Sequence, residues 1–331
     1  MGALIEAEGL SFAYAIKKHG AGFLESVFSG RPEMFSAVKD MNFSIKEGEL
    51  VTLAGPGGAG KSTLIKMILG ILAPVSGKLS VMGADPFKKR RENALKTGVV
   101  FGFRSQLWWD LPLGDSFTLL GKIYRVPEDV RLRNIEYAKE HLDIGDLWNQ
   151  PVRQLRPGQR MAAEVGAAIQ HGPKLLVLDE PLARLDAAAR RQILEFIKRL
   201  CRERGTAVIM STRDMKDAED AAARVLLIDG GCIVADSPVE ALRQRYRGKK
   251  TIKIGLRTPL AEFKAEGAGG YPASGGLTWN FEIEQGGTSM GRLIDEISGK
   301  AEITSVTVEE ERIEDIINDI YISGLDGAAD S

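Results

Sequence analysis

A glycine-rich run between two apolar segments holds the residues of this 331-residue sequence best suited to chemistry. The run consists of Gly55, Pro56, Gly57, Gly58, Ala59, Gly60, Lys61, Ser62 and Thr63. It matches the G-x-x-x-x-G-K-[ST] pattern, in which backbone N–H groups curl around a polyphosphate. Lys61 is expected to reach the β- and γ-phosphates, and the Ser62 hydroxyl to bind Mg²⁺. A chance glycine turn is the simpler alternative, but a strand-like and a helix-like flank stand in the order that the pattern requires.

Two adjacent carboxylates, Asp179 and Glu180, end an apolar run at residues 175–178. Such a pair fits the second motif of phosphate-loop enzymes. Asp179 would hold Mg²⁺ through water, and Glu180 would polarise the water that attacks the γ-phosphate. An ordinary strand end with two exposed acids is the alternative. Together with the phosphate loop, the pair predicts a site that binds Mg-ATP and hydrolyses it.

These motifs need strands and helices to position them, and the apolar pattern predicts both in alternation. Strands are predicted at 5–14, 35–45, 49–54, 97–103, 174–178, 207–210 and 225–228. Helices are predicted at 115–124, 129–142, 157–170 and 187–201. The last helix is amphipathic and carries Arg190 and Arg191 on its polar face. The alternation predicts an α/β fold with a mixed, mostly parallel sheet covered on both faces.

The composition changes near residue 245, which predicts two domains, 1–245 and 246–331. The second is interpreted as a small α+β accessory domain for pairing two copies or for regulation. Its predicted elements are strands at 251–256, 278–284 and 303–308, helices at 289–298 and 312–321, and a flexible glycine-rich loop at 267–276.

The overall composition limits the partners. A formal net charge of −1 gives no general attraction to nucleic acid. Cys201 and Cys232 lack metal-ligand spacing and favour a reducing compartment. No stretch approaches the roughly 20 apolar residues that span a bilayer, and the first residues are not expected to form a signal peptide. A role at a membrane is therefore expected to come through a partner protein.

Three further segments complete an ordered set with the two motifs: residues 154–160, 181–186 and 209–214. Over residues 4–245 this set resembles the nucleotide-binding subunit of ATP-binding cassette (ABC) transporters. The likeness is greatest to ABC-2 exporters of the daunorubicin-resistance type. The features that carry it are the insertion before the phosphate loop, the motif at 105–112, the Gly-Gln-Arg at 158–160 and the tail at 303–317.

The resemblance implies a phosphate-loop NTPase fold with a helical subdomain at about 104–170. It also implies head-to-tail pairs, homodimeric or heterodimeric, in which each ATP lies between one copy's phosphate loop and the other's signature. The signature residues are Leu155, Arg156, Pro157, Gly158 and Gln159. Asp186 ends the D-loop, and Tyr14 is expected to stack on adenine. Phe12 is the rival for that stacking role, and a core position is the alternative for either ring.

The chain departs from the family pattern at three positions. Arg156 replaces the signature serine, so it either meets the partner's γ-phosphate or turns away and leaves Gly158 and the helix N-terminus to do so. Phe103 stands where a glutamine contacts Mg²⁺, with Gln106 as the candidate substitute. Arg213 replaces the switch histidine.

Arg213 has two open interpretations. It is either an arginine finger on the γ-phosphate of its own site or the solvated ion-pair partner of Asp214 or Asp217. Phe103 and Arg213 weaken the site on one copy, and Arg156 weakens the opposite site. We therefore predict slow, partner-dependent hydrolysis with nucleotide-driven closure.

Residues 106–113, here called the docking segment, carry Trp108 and Trp109. The resemblance implies that this segment binds the cytoplasmic coupling helix of a membrane subunit. Adjacent residues of an extended chain point to opposite sides, so at least one tryptophan is expected to be exposed; a core position for both is the alternative. The leading hypothesis is an ATPase at the cytoplasmic face of a membrane, powering an exporter. The alternatives are a regulatory subunit with little turnover and a soluble cassette protein acting on ribosomes or DNA.

Overall fold

The computed structural model describes residues 2–16, 33–102, 104–221, 223–241, 250–260, 263, 269–283 and 290–309. The predicted helix at 312–321, Phe103 and most of the insertion at 15–35 lie outside these residues. The chain divides between Asp236 and Ser237 into two compact units. No helix of the described residues has the length and apolar character needed to cross a membrane.

A six-stranded sheet forms the centre of the first unit. In spatial order its strands are Thr97–Phe101 (β5), Leu175–Asp179 (β6), Ala207–Thr212 (β7), Leu50–Ala54 (β3), Arg224–Asp229 (β8) and Cys232–Pro238 (β9). The pairs from β5 to β8 are parallel. Their carboxyl ends therefore meet at one edge, where α/β sheets bind ligands.

Alternate side chains of each strand enter different cores, because successive residues of a strand point to opposite faces. Leu176 and Leu178 pack into one buried cluster, whereas Leu175 and Val177 pack into another. All four are fully buried. This explains why the sequence has continuous apolar runs at these strands instead of a polar–apolar alternation.

Helices cover one face of the sheet, and a helix and a second sheet cover the other. The first group consists of Leu113–Ile123 (α3), Glu128–Leu142 (α4), Pro157–Ile169 (α5) and Ala187–Arg204 (α6). The second consists of Lys61–Ile68 (α1) and the strands Ala3–Ile16 (β1), Glu33–Lys46 (β2) and Ser76–Val81 (β4). The short helices Arg90–Lys96 (α2) and Met215–Ala221 (α7) complete the described helices of this unit.

The first strand is longer than the predicted strand at 5–14. It runs from Ala3 to Ile16 in the antiparallel sheet β2-β1-β4, with register shifts around Leu10. Gly9 lies there with a φ of 59°. An irregularity lets a long strand bend over a core, and it interrupts the pattern from which strand ends are predicted.

The second unit has a four-stranded antiparallel sheet. Its spatial order is Gly269–Ala273 (β11), Thr278–Ile283 (β12), Lys250–Leu256 (β10) and Ile303–Glu309 (β13). Helix Met290–Ser298 (α8) contributes Leu293 and Ile297 to a core that contains Trp279 and Phe281.

One prediction for the second unit is wrong. The stretch expected to be a flexible loop at 267–276 contains the strand β11 and a 3-10 turn at Ser274–Gly276. The strand lies at the sheet edge, which is where proline and glycine are tolerated in sheets. A Cβ on Gly270 would lie 2.5 Å from the Phe281 ring, so the missing side chain is a packing requirement.

Candidate active site

The phosphate loop connects β3 to α1 at the carboxyl edge of the parallel sheet. Two of its glycines are required by close backbone contacts. Gly60, the N-cap of α1, has a φ of 110°, and a Cβ there would lie 2.3 Å from the Ala37 carbonyl oxygen. A Cβ on Gly55 would lie 2.0 Å from the Ile228 carbonyl oxygen. Neither position accommodates a side chain, which explains the spacing of these glycines.

Lys61 lies inside this loop. Its Nζ donates hydrogen bonds to the carbonyl oxygens of Gly55 (2.5 Å) and Pro56 (2.8 Å), and the residue is 4% exposed. The buried ammonium group is therefore held at the start of the loop by main-chain oxygens. It places a positive charge beside the N-terminus of α1, an arrangement suited to binding phosphate.

The side chains of Ser62 and Asp179 meet beside the loop. Ser62 Oγ donates to Asp179 Oδ1 at 3.2 Å, and Ser211 Oγ donates to the same oxygen at 2.6 Å. The strands explain the meeting, because Asp179 and Ser211 are register partners at the ends of β6 and β7. Ser211 was not predicted from the sequence, although its place at the end of an apolar strand was the available signal.

This group of oxygen atoms fits a hard cation. Mg²⁺ takes oxygen ligands and usually keeps several waters while binding one or two protein groups and the substrate phosphates. Ser62 and Asp179 are such groups. Among the described residues, no group of three or more His, Cys, Asp or Glu side chains is arranged to hold a metal ion. The arrangement is what a shared magnesium–phosphate site requires.

Glu180 follows Asp179 in a left-handed conformation, with a φ of 52°. Non-glycine residues adopt this conformation at a cost of about 1–2 kcal/mol, which surrounding bonds must offset. The Glu180 backbone N–H donates to Ser211 Oγ at 2.9 Å. Ser211 thus fixes both acids, by accepting from Glu180 and donating to Asp179.

Arg213 pairs with Glu180. Its Nε donates to Glu180 Oε1 at 2.6 Å, and a Cβ on Gly57 would lie 3.1 Å from its Nη1. The guanidinium group therefore lies between the phosphate loop and Glu180. The Glu180 side chain is 11% exposed, whereas the Arg213 side chain is 58% exposed.

The predicted alternative for Arg213, an ion pair with Asp214 or Asp217, is wrong. Arg190 pairs with those acids instead, at 2.8 Å from Asp217 and 3.9 Å from Asp214. The reason is topological, because α6 passes beside α7 and brings its guanidinium to the acids of that helix. Arg213 is directed toward the phosphate loop.

Tyr14 lies next to the end of the phosphate loop. Its hydroxyl is 3.2 Å from Thr63 Oγ1, and its ring meets Phe12 edge to face at 4.9 Å between centroids. Both rings are half-buried. The hydroxyl contact places Tyr14 beside the loop, while the stacking on adenine stays a prediction.

The signature forms the start of α5. Arg156 is its exposed N-cap residue, Pro157 is its first residue, and the Gln159 side chain accepts from the Arg156 N–H at 3.0 Å. Leu155 is buried in the core. A Cβ on Gly158 would lie 2.6 Å from the Ala189 methyl, so the signature packs closely against α6.

Asp186 caps α6 at the same place. Its side chain accepts a hydrogen bond from the Ala189 N–H at 2.9 Å. An N-cap of this kind typically contributes about 1 kcal/mol to helix stability. The structure thus gives Asp186 a local role as the N-cap of α6, and its assignment to the D-loop stays a prediction.

Gln106 is engaged away from the metal ligands. Its Nε2 donates to the carbonyl oxygens of Glu164 (3.1 Å) and Val99 (3.5 Å). Val99 is the register partner of Val177, two residues before Asp179 on the strand. A contact between Gln106 and Mg²⁺ would require these bonds to break.

Both tryptophans of the docking segment are exposed, Trp108 by 37% and Trp109 by 51%. The alternative that both lie in the core is therefore wrong. Arg160 stacks over the Trp109 ring at 5.6 Å. Large exposed aromatic side chains are typical of contact surfaces.

Comparison of the sequence with known proteins identifies a family match and several relatives. Residues 38–183 match the family described as ABC transporter. The aliphatic sulfonates import ATP-binding protein SsuB of Pseudomonas putida is 34% identical over 64% of this chain and 74% of its own length. The linearmycin resistance ATP-binding protein LnrL of Bacillus subtilis is 31% identical over 66% of this chain and 69% of its own length.

A solved structure has the same fold. It is the ATP-binding cassette MJ0796, a dimer in a post-hydrolysis state bound to ADP and Pi. It has a TM-score of 0.59 and 22% identity, and the match covers 71% of this chain and 98% of that chain. The α/β fold with its mixed, mostly parallel sheet is therefore that of an ATP-binding cassette, as predicted.

Proposed function

The chain belongs to the ABC transporter family of ATP-binding proteins, and from that premise we propose that it is the ATP-hydrolysing subunit of an ABC-2-type membrane exporter. The observation that carries the proposal is the group of hydrogen-bonded side chains beside the phosphate loop. Ser62 and Ser211 both donate hydrogen bonds to one carboxylate oxygen of Asp179. The Glu180 N–H donates to Ser211 and is fixed next to them. This is an arrangement for holding Mg-ATP and a water.

Each residue has a separate task in that reaction. Lys61 and the loop N–H groups would bind the phosphates. Ser62, and Asp179 through water, would hold a magnesium ion, which would neutralise charge on the phosphate oxygens. Glu180 orients the attacking water and accepts its proton. Tyr14 supports the adenine. The signature of a second copy, residues 155–159, closes on the γ-phosphate.

The pair between Arg213 and Glu180 supports slow turnover. A carboxylate that accepts a charge-assisted hydrogen bond of 2.6 Å is less available to a water molecule. Before hydrolysis, Arg213 must exchange Glu180 for another acceptor, and the γ-phosphate is the anion expected there. The same pair favours the second candidate function, a regulatory subunit that binds ATP with little turnover.

The direction of transport rests on sequence features. The motif at 105–112 and the tail at 303–317 support an exporter, and a resistance protein is among the relatives. An importer subunit is a relative too, so export is the finer part of the proposal. Trp108 and Trp109 would bind the membrane subunit on its cytoplasmic side, and the unit after Asp236 would pair two copies or regulate them.

The test is ATP hydrolysis by the chain purified with its membrane partner. Wild type should turn over slowly, and Glu180→Gln should lose turnover while keeping ATP affinity. Arg213→His should raise turnover because it releases Glu180 and restores the usual switch residue. Arg199→His, on the exposed side of α6 (43% exposed side chain), is the matched control and should change nothing.

Each contrary result has a distinct meaning. Turnover in wild type as fast as that of ordinary transporter motors, lost in Glu180→Gln, would falsify the slow-motor proposal. ATP binding without any turnover that depends on Glu180 would favour the regulatory subunit. A chain that never co-purifies with an integral membrane protein would contradict both.

A further inference from the structure

The docking segment, residues 106–113, is bonded to the chain on both sides of the signature. On the N-terminal side, the backbone N–H of Arg153 donates to the Trp109 carbonyl at 2.9 Å, and that of Val152 donates to the Leu111 carbonyl at 3.1 Å. Arg153 also pairs with Asp110 at 3.3 Å. Residues 109–111 therefore run alongside the two residues that lead into the signature.

On the C-terminal side, two residues of α5 reach the same segment. Arg160 stacks over Trp109, and Glu164 accepts hydrogen bonds from Ser105 Oγ and, at 3.2 Å, from the Gln106 N–H. Gln106 Nε2 donates in turn to the Glu164 carbonyl at 3.1 Å. Arg160 and Glu164 are four residues apart and so lie on one face of the helix.

Glu164 is unusual among these contacts because it is a buried acid. It is 4% exposed, and Ser105 Oγ and the Gln106 N–H donate hydrogen bonds to its carboxylate. Burial raises the pKa of its carboxyl group, although Ser105 and Gln106 oppose the shift by hydrogen bonding. A buried acid is costly compared with an apolar residue, and it is useful where hydrogen bonds must fix one arrangement of two elements.

The arrangement offers a path that does not use residue 103. Phe103 stands where the resemblance implies a glutamine that contacts Mg²⁺ and senses the membrane subunit. We propose that Glu164 is a positioning residue that couples the docking segment to the signature helix. A shift of the docking segment then moves the signature, which faces the ATP of the partner copy. This inference rests on the proposed docking function.

The experiment uses the full chain alone and in complex with its membrane partner. The measured quantity is the factor by which the complex stimulates ATP turnover. Glu164→Gln keeps the size of the side chain but presents an NH₂ group to hydrogen-bond donors. We expect the complex to form, the turnover of the free chain to stay within about twofold, and the stimulation to fall about tenfold, a usual size for coupling between sites.

Two further variants serve as controls for Glu164→Gln: one changes a donor to the same carboxylate, and the other changes an exposed acid elsewhere. Ser105→Ala removes one hydrogen bond to the same carboxylate and should give a smaller loss, with a double variant no worse than Glu164→Gln alone. It also replaces Glu164→Gln if that variant does not fold. Glu140→Gln changes an exposed acid of α4 (73% exposed side chain) and should be stimulated like wild type.

The outcomes separate the two proposals. Wild-type stimulation in Glu164→Gln or, if that variant does not fold, in Ser105→Ala overturns the role of Glu164. An equal loss of turnover in the free chain and in the complex also overturns it, because the defect then lies in the site itself. If wild type does not bind the membrane partner, or if Trp109→Ala binds it normally, the failure belongs to the docking proposal instead.

Discussion

At the scale of single residues, His171 shows how burial makes a side chain sensitive to pH. Its ring stacks on Tyr124 at 4.3 Å between centroids, and both ring nitrogens are buried. Burial lowers the pKa of His171 to about 4, because desolvation disfavours the charged imidazolium. The folded chain therefore keeps this histidine neutral at pH values where the unfolded chain protonates it.

The sign of the effect follows from this difference. Between pH 6.5 and about 4 the unfolded state binds the extra proton, so the free energy of unfolding falls as the pH is lowered. The share that His171 contributes should be a loss of roughly 2 kcal/mol between pH 7.5 and pH 5, from 1.36 kcal/mol per pH unit below 6.5. Denaturant unfolding of wild type at the two pH values measures it.

His171→Phe keeps an aromatic ring against Tyr124 but cannot bind a proton. This variant should lose about 2 kcal/mol of the acid sensitivity. Tyr124→Phe keeps the histidine and the stacking, so it should remain as acid-sensitive as wild type. Equal acid sensitivity in His171→Phe and wild type would show that His171 is not the group responsible.

At the scale of elements, Arg190 connects the D-loop to α7, the helix that follows β7 and Arg213. Its Nε donates to the Leu185 carbonyl at 3.2 Å, and its Nη1 donates to Asp217 Oδ1 at 2.8 Å. Asp217 is 6% exposed and also accepts from Thr212 Oγ1 at 3.4 Å. Thr212 ends β7, directly before Arg213, so the network joins residues on two sides of the ATP site.

Removing only Arg190 from its pair with Asp217 should lower the free energy of unfolding more than removing both charges. Arg190→Gln leaves a buried carboxylate without its cation, for an expected loss of about 2 kcal/mol in the free energy of unfolding. The double variant with Asp217→Asn should recover about half of that loss. Arg190→Gln should also lower ATP turnover, because it removes the bond from Arg190 to the D-loop carbonyl. The double variant lacks the same bond, so it should not recover that turnover.

Urea unfolding and ATPase assays of the four proteins in this cycle measure the two effects. Arg191→Gln changes the neighbouring residue of α6 and is the control. If the double variant were as unstable as the sum of the two single variants, Arg190 and Asp217 would not be coupled. If it regained full turnover, the network would serve stability alone.

The elements also show what the sequence could predict. The parallel strands and their helices were predictable because continuous apolar runs and helical periodicity encode burial directly. The four central strands around the site differ from the predicted ranges by at most two residues at either end. Asp179 and Glu180 were found for the same reason, since they end such a run.

Contacts between distant segments were not predictable. Ser211 acts on Asp179 only because β6 and β7 are neighbours, and Arg190 reaches Asp217 only because α6 lies beside α7. The role of Glu164 depends in the same way on where the docking segment runs. One-dimensional patterns specify which residues are buried, but pairing across 27 or 59 residues is decided by packing.

At the scale of the whole molecule, the buried clusters follow the division at Asp236. The two large clusters of the first unit use residues between Leu4 and Ile228, and the cluster of the second uses residues between Ile252 and Ala301. Every residue proposed to bind ATP lies in the first unit, from Tyr14 to Arg213. A core of its own is the condition for independent folding.

We therefore expect two thermal unfolding transitions in the full chain. ATP should raise the midpoint temperature of only one of them. A ligand stabilises the unit that binds it by RT ln(1 + [L]/Kd), or about 2.7 kcal/mol at a hundredfold excess over Kd. Scanning calorimetry with and without Mg-ATP measures both transitions. Lys61→Ala should abolish the shift while keeping both transitions, because it removes the phosphate contact. A fragment ending at Ala241 should retain the ATP-sensitive transition and lose the other. One merged transition would mean that the units unfold together. A shift of both transitions by ATP would mean that nucleotide binding is communicated to the second unit.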